Sequence, residues 1–366
     1  MTKLRIGIIG LSSEDGWALR GHLPALQRLD QLFEIHGLAG SSGSAATRSA
    51  KALGIPLAFG SATELVDHPE IDVVVVSVKV PEHRHAVEAA LAAGKPVYCE
   101  WPLGNGLAET ETLAQRAHAL GVPAFVGLQA RSLPMVNALR TAIAEERIGE
   151  TLSTSLIACA PDPWAGKITS RQKFLLDPAS GGNMLTIPFG HAVDALRWTL
   201  GNFTNLVATS AIRRQSAIVE DTDKRHVIAV PDQIAVSGHL ENGAVASIHL
   251  RGHVSPTRNF LWEINGTKGD ILIEGGNAHL QFGQALMTTY RNGVAEQFDG
   301  AESSEAPEAP AFSGLLHAYR NLHSDLTTGS AFLPSFSDAV VTHRLIQCVE
   351  RAAQSGTSQS YDHQQK

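Results

Sequence analysis

The stretch from Ile71 to Gly104 decides the fold. It opens on Ile71-Asp72-Val73-Val74-Val75-Val76 and closes on Val97-Tyr98-Cys99-Glu100-Trp101-Pro102-Leu103-Gly104. A short, unbroken apolar run fits a strand buried on both faces, as in a parallel sheet covered by helices. From about His83 to Ala93, Ala, Val and Leu recur on one side, which predicts a helix. Gly94 ends it, and Lys95-Pro96 leads into a second strand. Strand, helix, strand is one βαβ unit with a right-handed crossover. Open α/β sheets bind ligands outside the carboxyl ends of their strands. Val78-Lys79-Val80 and Glu100-Trp101-Pro102, which follow the two strands, therefore fall side by side at the expected site.

Upstream, Leu4-Arg5-Ile6-Gly7-Ile8-Ile9-Gly10 reads as a strand running into a glycine turn. A dinucleotide fold wants Gly-x-Gly-x-x-Gly there, for a tight turn and close approach of backbone to pyrophosphate. The chain gives Gly10-Leu11-Ser12-Ser13-Glu14-Asp15-Gly16-Trp17, with only Gly10 in register. Ser12 and Ser13 offer hydroxyls as well as N–H groups to phosphates. The second strand spans roughly Phe33 to Ala39 and lacks the Asp or Glu that usually binds a ribose 2′-hydroxyl. Ser41, Ser42 and Arg48 follow instead, a set that suits a 2′-phosphate. The expectation is NADP or NAD, with NADP slightly favoured. The plain alternative leaves Arg48 as a solvated helix residue.

Together, the apolar strand, His83, Ala90 to Lys95 and Cys-Glu-x-Pro-Leu resemble the Gfo/Idh/MocA oxidoreductases. The variant Glu100-Trp101-Pro102-Leu103-Gly104 is most similar to the subgroup related to the fungal galactose-pathway repressor. The resemblance implies an α/β chain. Its expected parts are an N-terminal Rossmann domain (residues 1–130) and a C-terminal α+β domain (131–366) with a large open, mostly antiparallel sheet. The C-terminal helix would pack back on the first domain. Past residue 151 short alternating runs agree: Thr151 to Ala158, Asn205 to Ile212, Gln233 to Leu240, Ala244 to Arg251, Phe260 to Ile264 and Asp270 to Glu274. Glu241-Asn242-Gly243, Asn265-Gly266 and Gly275-Gly276-Asn277 supply turns. Helices are expected near Met184–Leu200 and Ala311–Leu326. A surface loop is expected over Gly300 to Pro310, and a last helix capped by Ser337, with residues 357–366 frayed.

The totals set outer bounds. The chain has 366 residues, 43% of them hydrophobic, which supplies ample core and favours two domains. No apolar run reaches 18 residues, so no membrane span is expected. Met1-Thr2-Lys3-Leu4-Arg5 passes into a strand without a signal-peptide layout. Cys99, Cys159 and Cys348 are scattered, which fits a reducing cytoplasm. Sixteen His without paired spacing make no metal site. A net charge of −7 argues against direct nucleic-acid binding. The strands from Gln233 to Glu274 carry Ile, Val, Leu and Phe in alternation. An apolar open face of that kind predicts a homodimer or homotetramer.

The resemblance also says what is missing. Its usual Glu-Lys-Pro motif holds a catalytic Lys where this chain has Trp101. The segment Ser180 to Asp194 resembles the family's glycine-led substrate helix, but Ile187 stands where an Asp precedes the His by four residues. His191 and Asp194 match. Alcohol oxidation needs a base for the hydroxyl proton, and Trp and Ile supply none. His191 can act, because imidazole titrates near working pH. Lys79 is open to three readings: a replacement base, if burial lowers its pKa, a phosphate or ribose contact, or a solvent-facing lysine. Gln129-Ala130-Arg131 occupies the place where relatives hold an Asn or Gln and an Arg near the nicotinamide. Glu100, Trp101 and Gln129 are thus further cofactor candidates. Pro188 predicts that the helix starts after it. Trp101, Trp164, Lys173, Asn183 and His191 are the substrate candidates. Two functions remain open: an oxidoreductase acting on a sugar, polyol or related carbohydrate, and a non-catalytic dinucleotide sensor with a protein partner.

Overall fold

The structure is a computed structural model that describes residues 3–276, 278–282, 285–297 and 312–362. The expected loop Gly300 to Pro310, Asn277, Ala311 and residues 363–366 lie outside the described residues. The contacts divide the chain into two units. One is Met1–Ser132 with Glu308–Val340, and the other is Leu133–Pro307 with Val341–Lys366.

The first unit is built on a six-stranded parallel sheet. Its strands are β1 (Leu4–Ile9), β2 (Phe33–Ala39), β3 (Leu57–Phe59), β4 (Val73–Val76), β5 (Val97–Glu100) and β6 (Ala124–Gly127). They lie in the order β3-β2-β1-β4-β5-β6, the doubly wound arrangement. Every residue of β4 is buried, as its unbroken Val run demands. The connecting helices are α1 (Leu23–Gln27), α2 (Gly43–Leu53), α3 (Ala62–Val66), α4 (Val80–Ala92) and α5 (Leu107–Leu120). Helix α4 begins three residues before the expected His83, because Pro81 sits in its first turn, where a missing N–H costs nothing. His83 is therefore an interior residue. It is buried, with Nδ1 2.9 Å from Pro102 O and Nε2 3.0 Å from Val78 O. A π-helical turn, Ala18–His22, runs directly into α1.

The second unit opens with α6 (Pro134–Ala144) and β7 (Thr151–Ala160). Next come β8 (Lys167–Ile168), α7 (Gly190–Leu200), β9 (Phe203–Ala211), β10 (Ser216–Val219) and β11 (Lys224–Val227). Then follow β12 (Gln233–Leu240), β13 (Val245–Gly252), β14 (Phe260–Gly266), β15 (Gly269–Gly275), β16 (Ala285–Arg291) and β17 (Val294–Gln297). The large sheet has nine strands, β17-β16-β15-β14-β7-β13-β12-β9 and a last strand, β18 (Gln359–Ser360). It is mixed: β7 and β13 run parallel and the other pairs antiparallel. A smaller sheet joins β11, β10 and β8. The end of the chain is thus not frayed over 359–360, where it pairs with β9 and where Tyr361 is buried.

The alternation of the large sheet sorts its faces differently from expectation. Ile234, Val236, Ile248, Leu250, Trp262, Ile264, Ile271 and Ile273 are all buried. The opposite face mixes Ser155, Ser237, Ser247 and His249 with Ile157, Val245, Leu261 and Leu272. The regular apolar face is therefore the covered one, and the open face is only patchily apolar.

Two late helices remain. Helix α8 (Ser313–Thr328) belongs to the first unit, where the ring of its Tyr319 stacks on Tyr98 with centroids 5.8 Å apart. Helix α9 (Phe336–Ser355) gives its first turn to the first unit and the rest to the second. Its cap is Ser335, not Ser337. Ser335 Oγ accepts from Asp338 N at 3.4 Å, while Asp338 Oδ2 accepts from Ser335 N at 2.8 Å, a reciprocal capping pair. No helix among the described residues is long and apolar enough to cross a membrane.

Candidate functional site

In the first unit the candidates cluster where the topology directs a ligand. Gly10 follows β1, Ser41 and Ser42 follow β2, and Lys79 follows β4. Glu100 and Trp101 end β5, and Gln129 follows β6. All lie at the carboxyl end of one parallel sheet, and β1 and β4 flank the point where strand order reverses. Gly10 has φ +100°, and a Cβ there would lie 2.4 Å from Ser77 O. Only glycine lets the chain leave β1 so close to the next strand.

The loop after Gly10 is long but anchored. Ser13 N donates to Ser49 Oγ at 3.2 Å, and the two hydroxyls are 3.4 Å apart. Ser49 is a buried residue of α2, so the loop is tied to the next helix by one hydroxyl. Nothing in the sequence distinguishes that serine from a surface residue. Ser12 Oγ accepts from Glu14 N, which folds the loop on itself. Ser42 caps α2 through Ala45 N at 3.3 Å, leaving Ser41 and Arg48 exposed beside it.

The end of β5 is more tightly held. Gln129 is buried and donates through Nε2 to Glu100 Oε1 at 2.8 Å. Trp101 is buried, 4% exposed, and precedes a cis Pro102. Arg131 is also buried, but its guanidinium is taken: Nη1 donates to Asp338 Oδ1 at 2.8 Å. Burial pushes the Asp338 carboxyl up, yet Arg131 and Ser335 more than offset it and hold it below its usual range. Arg131 thus braces the first turn of α9. Lys79 is exposed at the N-cap of α4, so its own unit does not supply the burial that the replacement-base reading requires.

In the second unit the glycine-led segment enters a helix before Pro188, not after it. Leu185–Phe189 is a π-helical turn that passes into α7 without a break. Phe189 N bonds Met184 O at 3.1 Å, five residues back, and so bridges the position where Pro188 has no N–H. Asn183 starts the turn, its Oδ1 accepting from Leu185 N at 2.9 Å and Thr186 N at 3.2 Å. Its carbonyl oxygen is committed to that cap, which leaves its amide nitrogen for a ligand. Ile187 is half-buried in the turn.

His191 sits at the start of α7, only 6% exposed. Its Nδ1 is buried without a hydrogen-bond partner among the described residues. Burial first, then the neighbouring His279, hold its imidazole neutral, well below the usual histidine range. The rings of His191 and His279 meet edge to face at 6.0 Å, and His279 stacks on Phe282 at 5.0 Å. Asp194, by contrast, is spent on structure. Its Oδ1 accepts from Thr342 Oγ1 at 3.0 Å and lies 3.5 Å from Arg197 Nη1. Trp164 is buried with its indole N–H unpaired among the described residues, and Lys173 is half-buried in a 3₁₀ turn, Ser170–Leu176.

Two family models match. One, described as an oxidoreductase family with an NAD-binding Rossmann fold, covers residues 4–128. The other, described as the Gal80p C-terminal domain, covers residues 134–275. Over 372 residues the chain is 30% identical to dehydrogenase aclE of Aspergillus oryzae, with 98% of each chain aligned. The chain belongs to the Gfo/Idh/MocA oxidoreductase family. This Gfo/Idh/MocA member has a Gal80-like C-terminal domain. It is 25% identical to the galactose/lactose metabolism regulatory protein Gal80 of Saccharomyces cerevisiae, over 97% of this chain and 94% of that one. A crystal structure of a super-repressor mutant of the yeast protein superposes with a TM-score of 0.89 at 22% identity, covering 98% of both chains. Levoglucosan dehydrogenase, solved with NADH and L-sorbose, shares the same fold, with a TM-score of 0.82 at 18% identity over 99% of this chain and all of that one.

Proposed function

We propose that the protein is a nicotinamide-dinucleotide oxidoreductase acting on a sugar, polyol or related carbohydrate, with an altered catalytic set. The observation that carries this reading is His191: a buried, neutral imidazole with an open Nδ1, at the head of the family's substrate helix. The positive-φ glycine after β1 and the anchored serine loop fit a dinucleotide. Gly10, Ser12 and Ser13 would hold its phosphates. Ser41, Ser42 and Arg48 would take a 2′-phosphate, so NADP is favoured slightly over NAD. Glu100, Trp101 and Gln129 would flank the nicotinamide end, with Lys79 contacting ribose or phosphate.

When bound, the dinucleotide supplies the hydride acceptor or donor. The chain supplies the rest. The neutral imidazole of His191 can accept the hydroxyl proton at a ring nitrogen as the carbon is oxidised. The burial that keeps it neutral, contrary to the expected titration near working pH, also weakens it as a base. Asn183, through its amide, together with Trp164 and Lys173, would orient the hydroxyls. Trp101 closes the place of the family's lysine with an apolar ring.

A second reading is favoured by one specific feature. Trp101 and Ile187 remove two polar catalytic groups, while Lys79 is exposed. That set suits a non-catalytic dinucleotide sensor with a protein partner, and Gal80 relatives are named as regulators. The three free, buried cysteines agree with a reducing cytoplasm for either role.

A screen of sugars and polyols for reduction of NAD⁺ and NADP⁺ tests the proposal. Turnover should fall about 100-fold in His191→Ala, the scale of a lost general base. Lys79→Met should weaken cofactor binding and spare turnover at saturation. Absence of turnover on every compound, with dinucleotide binding intact, would hand the site to the sensor reading.

A further inference from the structure

The first unit holds a buried polar chain that the chemistry above leaves unused. His22, in the π-helical turn after the glycine loop, has no exposed surface. Its Nδ1 lies 2.6 Å from Tyr319 Oη on α8, and its Nε2 lies 3.2 Å from Glu100 Oε1. The Nε2–H points off that line and completes no hydrogen bond among the described residues. The same carboxylate oxygen accepts from Gln129 Nε2 at 2.8 Å.

The direction of the chain follows from Tyr319. Burial, and then Glu100, push its phenol well above the usual tyrosine range, so it keeps its proton. Because the Glu100 carboxylate beside His22 Nε2 can only accept, that proton is donated to Nδ1. His22 Nδ1 is therefore the acceptor, and the ring proton sits on Nε2, the nitrogen beside Glu100. A histidine's tautomer is set by the bond its other nitrogen makes. Glu100 Oε1 thus accepts from Gln129 and has His22 Nε2 3.2 Å away, without a completed hydrogen bond. Among the described residues Oε2 makes no hydrogen bond, and it is the oxygen left for a ligand. The stacking of Tyr319 on Tyr98, and the edge-on contact of His22 with both rings, hold the chain in one geometry.

We infer that Tyr319 and His22 are positioning residues for the dinucleotide. They fix the carboxylate of Glu100, so that Oε2 is set to accept from a hydroxyl or carboxamide N–H at the nicotinamide nucleoside end. This rests on the dinucleotide-binding reading above.

Tyr319→Phe isolates the effect, because it keeps the ring and its stacking and removes one O–H. Calorimetric affinity for NADH and NADPH should fall roughly 3- to 10-fold, the scale of one neutral hydrogen bond. The thermal midpoint should hold within a few degrees. Nitrogen-15 spectra of His22 should show the Nε2–H tautomer in the unmodified protein and a tautomer mixture in Tyr319→Phe. In a His22→Gln background, where an amide donates to Glu100 without help, Tyr319→Phe should have no further effect on affinity. Should His22→Gln fail to fold, the single variant and the spectra carry the test. Unmodified protein that binds NADH or NADPH while Tyr319→Phe binds them equally well overturns the positioning role alone. An Nδ1–H tautomer in the unmodified protein also overturns it. Unmodified protein that binds neither nucleotide removes the dinucleotide reading and this role with it.

Discussion

Gly10→Ala is the sharpest probe of the glycine turn. At φ +100° an alanine is strained whatever the space, at a cost of about 1–3 kcal/mol. The space is also absent. The new Cβ would lie 2.4 Å from Ser77 O, 2.8 Å from Ser77 C and 2.8 Å from Val78 Cγ1. Two of these are backbone atoms, and the backbone there is pinned. Gly10 N donates to Ala39 O at 3.0 Å, and Ser77 N donates to Ile9 O at 2.9 Å. Relief must therefore come from moving a strand end, which adds roughly 1–3 kcal/mol of overpacking. The expected loss is about 2–6 kcal/mol. Gly54→Ala is the matched control, since Gly54 has φ +69° and nothing within 4 Å of a new Cβ. It should cost only the left-handed penalty, roughly 1–2 kcal/mol. Urea unfolding of both variants measures the difference, and NADPH titration should show binding lost in Gly10→Ala alone. Equal destabilisation of the two, or unchanged NADPH affinity in Gly10→Ala, would refute the reasoning.

Three further outcomes are expected. Burial pushes His343 down to about 3, so the folded state binds its proton later than the unfolded chain does. That stabilisation is complete above the unfolded value near 6.5 and is lost as pH falls; by pH 5 the loss is about 2 kcal/mol. Urea midpoints at pH 7 and pH 5 should therefore converge in His343→Leu relative to the unmodified protein. Arg48→Ala should weaken NADPH several-fold more than NADH, and equal affinities of the unmodified protein for the two would end the preference. Ile157 and Val245 lie exposed on the open face of the large sheet. If that face joins copies of the chain, Ile157→Asp should convert an oligomer to monomer in light scattering, and a monomeric unmodified protein would exclude it.

The parallel sheet was legible because its strands are short apolar runs and its turns carry Gly and Pro. The large sheet was legible where alternation was strong, as in Gln233–Leu240 and Val245–Gly252. It failed at Lys224–Val227, a strand of Lys, Arg, His and Val whose pairing with β10 no apolar pattern announces. Pro188 misled for a definite reason. A rule based on bonds four residues back treats proline as a break, while the bond from Phe189 to Met184 steps over it. In the site, His191 and Glu100 could be found because they stand within recognisable motifs. Ser49, His279 and Tyr319 could not, since each is a single residue whose role exists only in the contacts that folding creates.

The late arrival of α8 has a consequence for synthesis. The first 132 residues carry the whole parallel sheet, yet Tyr98, His22 and Phe33 wait for Tyr319 to pack against them. At ribosomal speeds of about 5–20 residues per second, the intervening chain takes on the order of ten to forty seconds to emerge. During that interval an aromatic surface stays bare to solvent. A nascent chain stalled before Ser313 should therefore bind hydrophobic chaperones, and release them once the sequence through Thr328 is out.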